Sequence, residues 1–108
     1  MNWIALTSLD QLSEIDELSK IQPVMVFKHS TRCSISNMAL SRVESKWKDD
    51  YNLKAFYLDL LSHRDVSDAI SSRYKVTHQS PQAMLIVNGI CTAHQSHSGI
   101  NISELLNH

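Results

Sequence analysis

Cys33 is the residue of this chain best placed for covalent chemistry. It follows the apolar run Val24-Met25-Val26-Phe27-Lys28 and the polar stretch His29-Ser30-Thr31-Arg32, and it precedes a segment with helical spacing. A free cysteine thiol has a pKa of about 8.5 and is mostly protonated at neutral pH. A helix start favours the thiolate, because it offers unpaired backbone N–H groups and the positive end of the helix dipole. Arg32 and Lys28 stand close enough in sequence to add positive charge, and His29 lies four residues upstream. The same position also suits an inert, packed cysteine. Ser36 stands three residues on, where a dithiol enzyme would carry its second cysteine; a serine in a first helical turn is also unremarkable.

The other chemistry-bearing residues are scattered. Cys91 falls in a strand candidate, where packing is its commoner role, and it could pair with Cys33 only if the two Cα atoms came within about 7 Å. Cys91, His94 and His97 recur every third residue, a spacing that suits neither alternate strand positions nor a zinc knuckle. No metal site is expected. Ser80-Pro81 reads as a strand entry, since proline is tolerated at the start of a central strand.

The elements that would position these residues follow from patterning. Trp3 to Leu6 is a short strand candidate. Ser8, with Gln11 three residues later, opens a helix carrying Leu9, Leu12, Ile15 and Leu18 on one face. Pro23 ends that segment. Val24 to Lys28 reads as a buried strand. A helix follows from Ser34 to Lys48, with Ile35, Met38, Ala39, Val43 and Trp47 as its apolar stripe. Leu53 to Asp59 is a second core strand. Ser62 caps a helix that buries Val66, Ala69, Ile70 and Tyr74. Gln82 to Val87 is a third core strand, and Asn88-Gly89 predicts a hairpin returning through Ile90 to His94. Asn101 with Glu104 caps a last helix carrying Ile102, Leu105 and Leu106. Strands alternating with helices imply parallel pairing, and the hairpin adds antiparallel strands at one side. The expectation is an α/β domain, residues 1–108, with a mixed sheet of four or five strands flanked by helices. In such sheets ligands lie beyond the carboxyl ends of the strands, which is where the loop before Cys33 would sit.

Bulk properties narrow the function classes. The chain has 108 residues, 43% apolar and 19% charged, with a formal net charge of −1. That balance offers no global field for nucleic acid or membranes. The longest aliphatic run, Ala83 to Val87, is too short to span a bilayer. Two cysteines make no disulfide framework. No signal-peptide pattern is read at the start, so a reducing cytoplasm is the expected compartment. Charge is unevenly placed, with −3 over residues 1–22 and +4 over residues 23–48. The second region reads either as solvated helix faces or as a cationic rim around Cys33.

Together these motifs resemble the thioredoxin superfamily, and one branch more closely. Phe27-Lys28-His29-Ser30-Thr31-Arg32-Cys33-Ser34-Ile35-Ser36 is similar to the Lys-His-Ser…Cys-Pro-Ile-Ser signature of the monothiol bacilliredoxins. His78-Gln79-Ser80-Pro81-Gln82-Ala83 is similar to their His-Glu-Ser-Pro-Gln signature. Tyr57 through Ser67, with Arg64-Asp65, and Val87-Asn88-Gly89 also fit the pattern. The resemblance implies a thioredoxin-like fold and removal of bacillithiol, a small thiol bearing malate carboxylates, from mixed disulfides on client proteins. By this resemblance Cys33 is the nucleophile, Pro81 is a cis-proline facing it, and the Ser80 backbone pairs with the bound ligand. Beside these, Ser36, Arg32, Thr31 and His29 are candidate supporting residues, His29 reading equally as a solvated loop histidine, and Gln82 and Arg32 are candidate substrate contacts. No bound cofactor is implied; bacillithiol is the co-substrate, and the partners are bacillithiolated clients, without nucleic acid or membrane. The chain departs from the family at Ser34, usually proline, which frees a first-turn N–H, and at Arg32, which should favour the thiolate. A thioredoxin-like binding module and a Cys33-based redox sensor remain the alternative readings.

Overall fold

The computed structural model describes residues 1–107. Five strands and four α-helices alternate: β1 (Trp3–Ala5), α1 (Asp10–Ser19), β2 (Val24–His29), α2 (Ser34–Lys46), β3 (Lys54–Asp59), α3 (Arg64–Tyr74), β4 (Gln82–Val87), β5 (Ile90–Ser96) and α4 (Ile102–Leu106), with a 3₁₀ turn at His97–Gly99 before α4. They form one sheet in the order β1-β3-β2-β4-β5. β3 runs parallel to β1 and β2, while β4 is antiparallel to both β2 and β5. The expected mixed sheet is thus present with five strands.

All six residues of β2 are buried, as befits a central strand covered on both faces. Alternation then divides the core. Val24 and Val26 face a cluster with Leu12 and Ile15 of α1 and Val66, Ile70 and Tyr74 of α3. Met25 and Phe27 face a second cluster with Ala39 and Val43 of α2 and Ile102 and Leu105 of α4. At the hairpin Asn88 and Gly89 adopt φ of 52° and 73°, the left-handed pair that a two-residue type I′ turn requires. The hairpin is tied to α1 through Asn88 N–H to the Ser19 carbonyl at 2.9 Å and Gly89 N–H to Ser19 Oγ at 2.8 Å.

Several expected details differ. Only half of the Ser8–Gln11 capping box forms: Gln11 Oε1 accepts from the N–H groups of Thr7 and Ser8, while α1 begins later, at Asp10, without a side-chain cap. Leu9 therefore stands outside the apolar face and is 48% exposed. Ser62 does not cap α3; its hydroxyl donates to Asp59 Oδ2 at 3.0 Å and His63 takes the N-cap position. The helix α2 stops at Lys46, two residues short of the expected end, because Trp47 turns to extended backbone. Ile35 and Met38, expected in its buried stripe, are 55% and 64% exposed. The helix instead turns Ser36, Ala39 and Val43 toward the sheet.

Asp16 joins α1 to α3. Its Oδ1 accepts from the Tyr74 hydroxyl at 2.6 Å, and its Oδ2 pairs with Arg73 at 2.7 Å. Burial and this bond push the Tyr74 phenol well above its usual pKa. A Tyr74→Phe substitution keeps the packing and removes the hydrogen bond to the carboxylate, so unfolding in urea is expected to show a loss of about 2 kcal/mol.

Candidate functional site

The site is built where two loops leave the same edge of the sheet. Because β4 runs antiparallel to β2, Lys28 at the end of β2 pairs with Gln82 at the start of β4. The loop after β2, which carries Cys33, therefore lies beside the loop before β4, which carries Pro81. The Ser80–Pro81 peptide is cis, as the resemblance implied. Loop 77–81 is held from within: Gln82 Nε2 donates to the Thr77 carbonyl at 3.1 Å, and its Oε1 accepts from Gln79 N–H at 3.4 Å. Gln82 is fully buried. Its side chain braces the loop from inside. The Pro81 carbonyl accepts from His97 N–H at 3.0 Å. Ser80 Oγ is buried and, among the described residues, without a hydrogen-bond partner.

Cys33 occupies the N-cap of α2 in extended backbone conformation and is half-buried. Its N–H donates to the Ser30 carbonyl at 3.2 Å, and its carbonyl accepts from Asn37 N–H at 3.0 Å. The N–H groups of Ser34, Ile35 and Ser36 thus precede the first intrahelical bond and are the orphan donors of the helix. A sulfur at the N-cap can receive them, as cap side chains ordinarily do. Thr31, Arg32, Ser34 and Ile35 around it are exposed. The Cys33 side chain makes no cap hydrogen bond here, so these donors stay free beside a sulfur that is accessible from one side.

Ser36 is not a spectator. It is fully buried, and its Oγ accepts from Ser30 N–H at 3.0 Å and lies 2.6 Å from His29 Nδ1. His29 is buried too, against Phe27 and Tyr57. Burial pushes the imidazole below its ordinary pKa; Asp59 and a bond to Asn37 oppose this without reversing it. The Ser36 hydroxyl and the ring Nδ1 share this bond, with either one donating according to the tautomer. One hydroxyl thereby ties the end of β2, the first turn of α2 and the loop between them. Ser36 lies on the same face of α2 as the core residues Ala39 and Val43, and Ile35 and Met38 face outward.

Lys28 lies inside, on the α3 face of the sheet, as the buried-strand reading of Val24 to Lys28 expects, and adds nothing to a cationic rim around Cys33. It is fully buried, with Nζ 3.2 Å from Ser71 Oγ and 3.2 Å from His78 Nδ1. Desolvation lowers its pKa from 10.5 to about 8, against a smaller opposing pull from Asp68. Desolvation and the neighbouring Lys28 charge also lower the His78 pKa. The signal was present in the sequence, since period-two alternation puts Lys28 on the side of Val24 and Val26.

Cys91 lies elsewhere. It pairs with Ile86, which pairs with Val24 at the opposite end of β2. The length of β2 puts the two cysteines on the order of 15 Å apart, beyond disulfide reach. Burial raises the Cys91 pKa, and its thiol points at the Ala93 carbonyl at 3.3 Å. Among the described residues, no three His, Cys, Asp or Glu side chains are grouped to hold a metal ion, and no helix is long and apolar enough to cross a membrane.

Two outcomes follow for stability. Ser36→Ala leaves a buried N–H and a buried imidazole nitrogen without their partner, so denaturant unfolding is expected to show a loss of about 2 kcal/mol. For Lys28, the unfolded chain binds more protons than the folded one between pH 8 and 10.5, so its burial penalty is fully present below pH 8 and fades as pH rises through that window. Lys28→Met is therefore expected to be more stable than the parent at pH 7, by up to about 3 kcal/mol. The gap measured by urea titration should close by about pH 10.5.

Comparison with known proteins places this geometry. A solved structure described as a candidate oxidoreductase with a thioredoxin fold is 36% identical, with a TM-score of 0.84 over 97% of this chain and 91% of its own. Fasciola hepatica thioredoxin shares the fold at 17% identity and a TM-score of 0.71, over 95% of this chain and 92% of its own. A Schistosoma mansoni thioredoxin does so at 16% and 0.72, over 99% and 94%. Residues 4–105 match the family described as monothiol bacilliredoxin BrxC. The Cys33 and Pro81 loops thus sit on the framework of thiol redox proteins, and with nearly its whole length matched the chain belongs to the monothiol bacilliredoxin BrxC family.

Proposed function

We propose that this protein strips bacillithiol from mixed disulfides on client proteins, using Cys33 as its one nucleophile. The carrying observation is a half-buried thiol at the N-cap of α2, beside a cis-proline loop, with a hydrogen-bonded serine at the position a resolving thiol would need. The Cys33 thiolate attacks the bacillithiol sulfur of the mixed disulfide. The new bond joins Cys33 to bacillithiol, and the client sulfur leaves as a thiolate that takes up a proton. A second thiol, supplied by free bacillithiol, then attacks the bacillithiol sulfur on Cys33. This releases bacillithiol disulfide and restores the thiolate, so electrons balance without another oxidant or reductant. The Ser80 backbone, next to the cis peptide bond, is the proposed pairing group for the bound substrate, and exposed Ile35 and Met38 offer apolar contact to the client.

The test incubates the reduced protein with bacillithiol disulfide and, separately, with oxidised glutathione, followed by intact mass and peptide mapping. One bacillithiol adduct on Cys33 is expected, absent in Cys33→Ser and retained in Cys91→Ser. With free bacillithiol present, one protein molecule should clear many bacillithiolated clients. Absence of an adduct on Cys33, or equal adducts on Cys33 and Cys91, contradicts the assignment. Stoichiometric transfer without turnover contradicts the enzyme.

A further inference from the structure

The loop that carries Cys33 also forms one wall of a cavity of about 330 Å³, lined by Thr31, Arg32, Asp59, Leu61, Ser62 and Arg64. Its size is that of a small-ligand site. Two of its six lining residues are arginines on different elements. Arg32 immediately precedes the thiol in sequence, and Arg64 is the first residue of α3. Among the described residues neither arginine is paired with a carboxylate: the ion pairs are Lys20–Glu17 and Arg73–Asp16. The acidic group in the lining, Asp59, is already engaged by its own turn. Its Oδ1 accepts from Leu61 N–H at 3.2 Å and its Oδ2 from the Ser62 hydroxyl at 3.0 Å. The N-terminus of α3, an eleven-residue helix whose N-cap makes no side-chain cap bond, opens at the same cavity. Its dipole adds to the positive potential.

We propose that this cavity is the recognition subsite for the small-thiol half of the substrate disulfide, with Arg32 and Arg64 clamping a dicarboxylate group; this rests on the reading of Cys33 as the exchanging thiol. Guanidinium groups suit the role because each can donate two parallel hydrogen bonds to one carboxylate. Two separate arginines match two carboxylates on one ligand. Cys33 does not line the cavity but directly follows Arg32, which does, so a ligand clamped there would reach from the cavity to the thiol. Arg64 is thereby a specificity-determining residue: it acts on which disulfide is taken, and the exchange itself belongs to Cys33. The malate group of bacillithiol has the required chemistry, whereas a neutral disulfide has nothing to offer the clamp.

The experiment measures second-order rates of Cys33 adduct formation by rapid quench and intact mass, with bacillithiol disulfide and with neutral hydroxyethyl disulfide. The parent, Arg64→Gln and Arg64→Lys are compared. Arg64→Gln is expected to slow the bacillithiol reaction about fivefold relative to the hydroxyethyl reaction, the upper range for one exposed ion pair. Arg64→Lys should recover part of that loss, and raising the salt should depress the bacillithiol rate more than the neutral one. If Arg64→Gln slows both reactions equally, or neither, the subsite is overturned while the Cys33 chemistry stands. If the parent reacts with hydroxyethyl disulfide but not with bacillithiol disulfide, the subsite and the bacillithiol reading fall together.

Discussion

The pairing of Lys28 with Gln82 is the constraint on which the site depends. It brings the end of one strand to the beginning of its antiparallel neighbour, and so sets two loops from distant parts of the sequence side by side. Both paired side chains are polar and fully buried, and each is bonded to the cis-proline side of the junction: Lys28 reaches His78, and Gln82 reaches Thr77. A slip of one residue would carry both to the other face of the sheet and leave each without its partners. Burying an ammonium group costs stability. What it secures here is a defined distance between the strand that leads to the thiol and the loop that faces it.

A second tie runs across the opposite face. His29, one residue further along β2, holds Ser36 through its ring nitrogen, and Ser36 in turn receives the N–H of Ser30. Successive residues of one strand thus anchor the two walls, Lys28 the proline loop and His29 the cysteine helix. The serine occupies the place a resolving thiol would take in a dithiol site, and its oxygen is committed to structure.

Much of this was legible in the sequence, for stated reasons. Gln82–Val87 was bounded by Pro81 on one side and Asn88-Gly89 on the other, and both limits hold because proline and a left-handed turn are backbone constraints that packing seldom overrides. Cys33 was placed at a helix start by its neighbours alone, and the cis state of Pro81 came only with the family resemblance. The failures are instructive. Ile35 and Met38 were assigned to the core by hydrophobicity, whereas α2 turns Ser36, Ala39 and Val43 inward. Lys28 was read both in a buried strand and as one charge of a possible cationic rim; its strand position decides, and Ser71 and His78, distant in sequence, accommodate the ammonium group. The cavity between Arg32 and Arg64 was likewise invisible, because it exists only once β3 has brought the start of α3 alongside β2.

The position of Cys91 at the far end of the sheet has a consequence for how the protein would behave in bulk. On the proposed chemistry, the chain has no internal partner with which to discharge Cys33, so each molecule holds a single small thiol until a separate molecule collects it. Its loaded fraction would then follow the ratio of free to disulfide-bound small thiol around it, in the manner of an indicator dye. When discharge is slow, its capacity would be set by copy number: a pool of this protein would absorb one equivalent of thiol per chain and then stop.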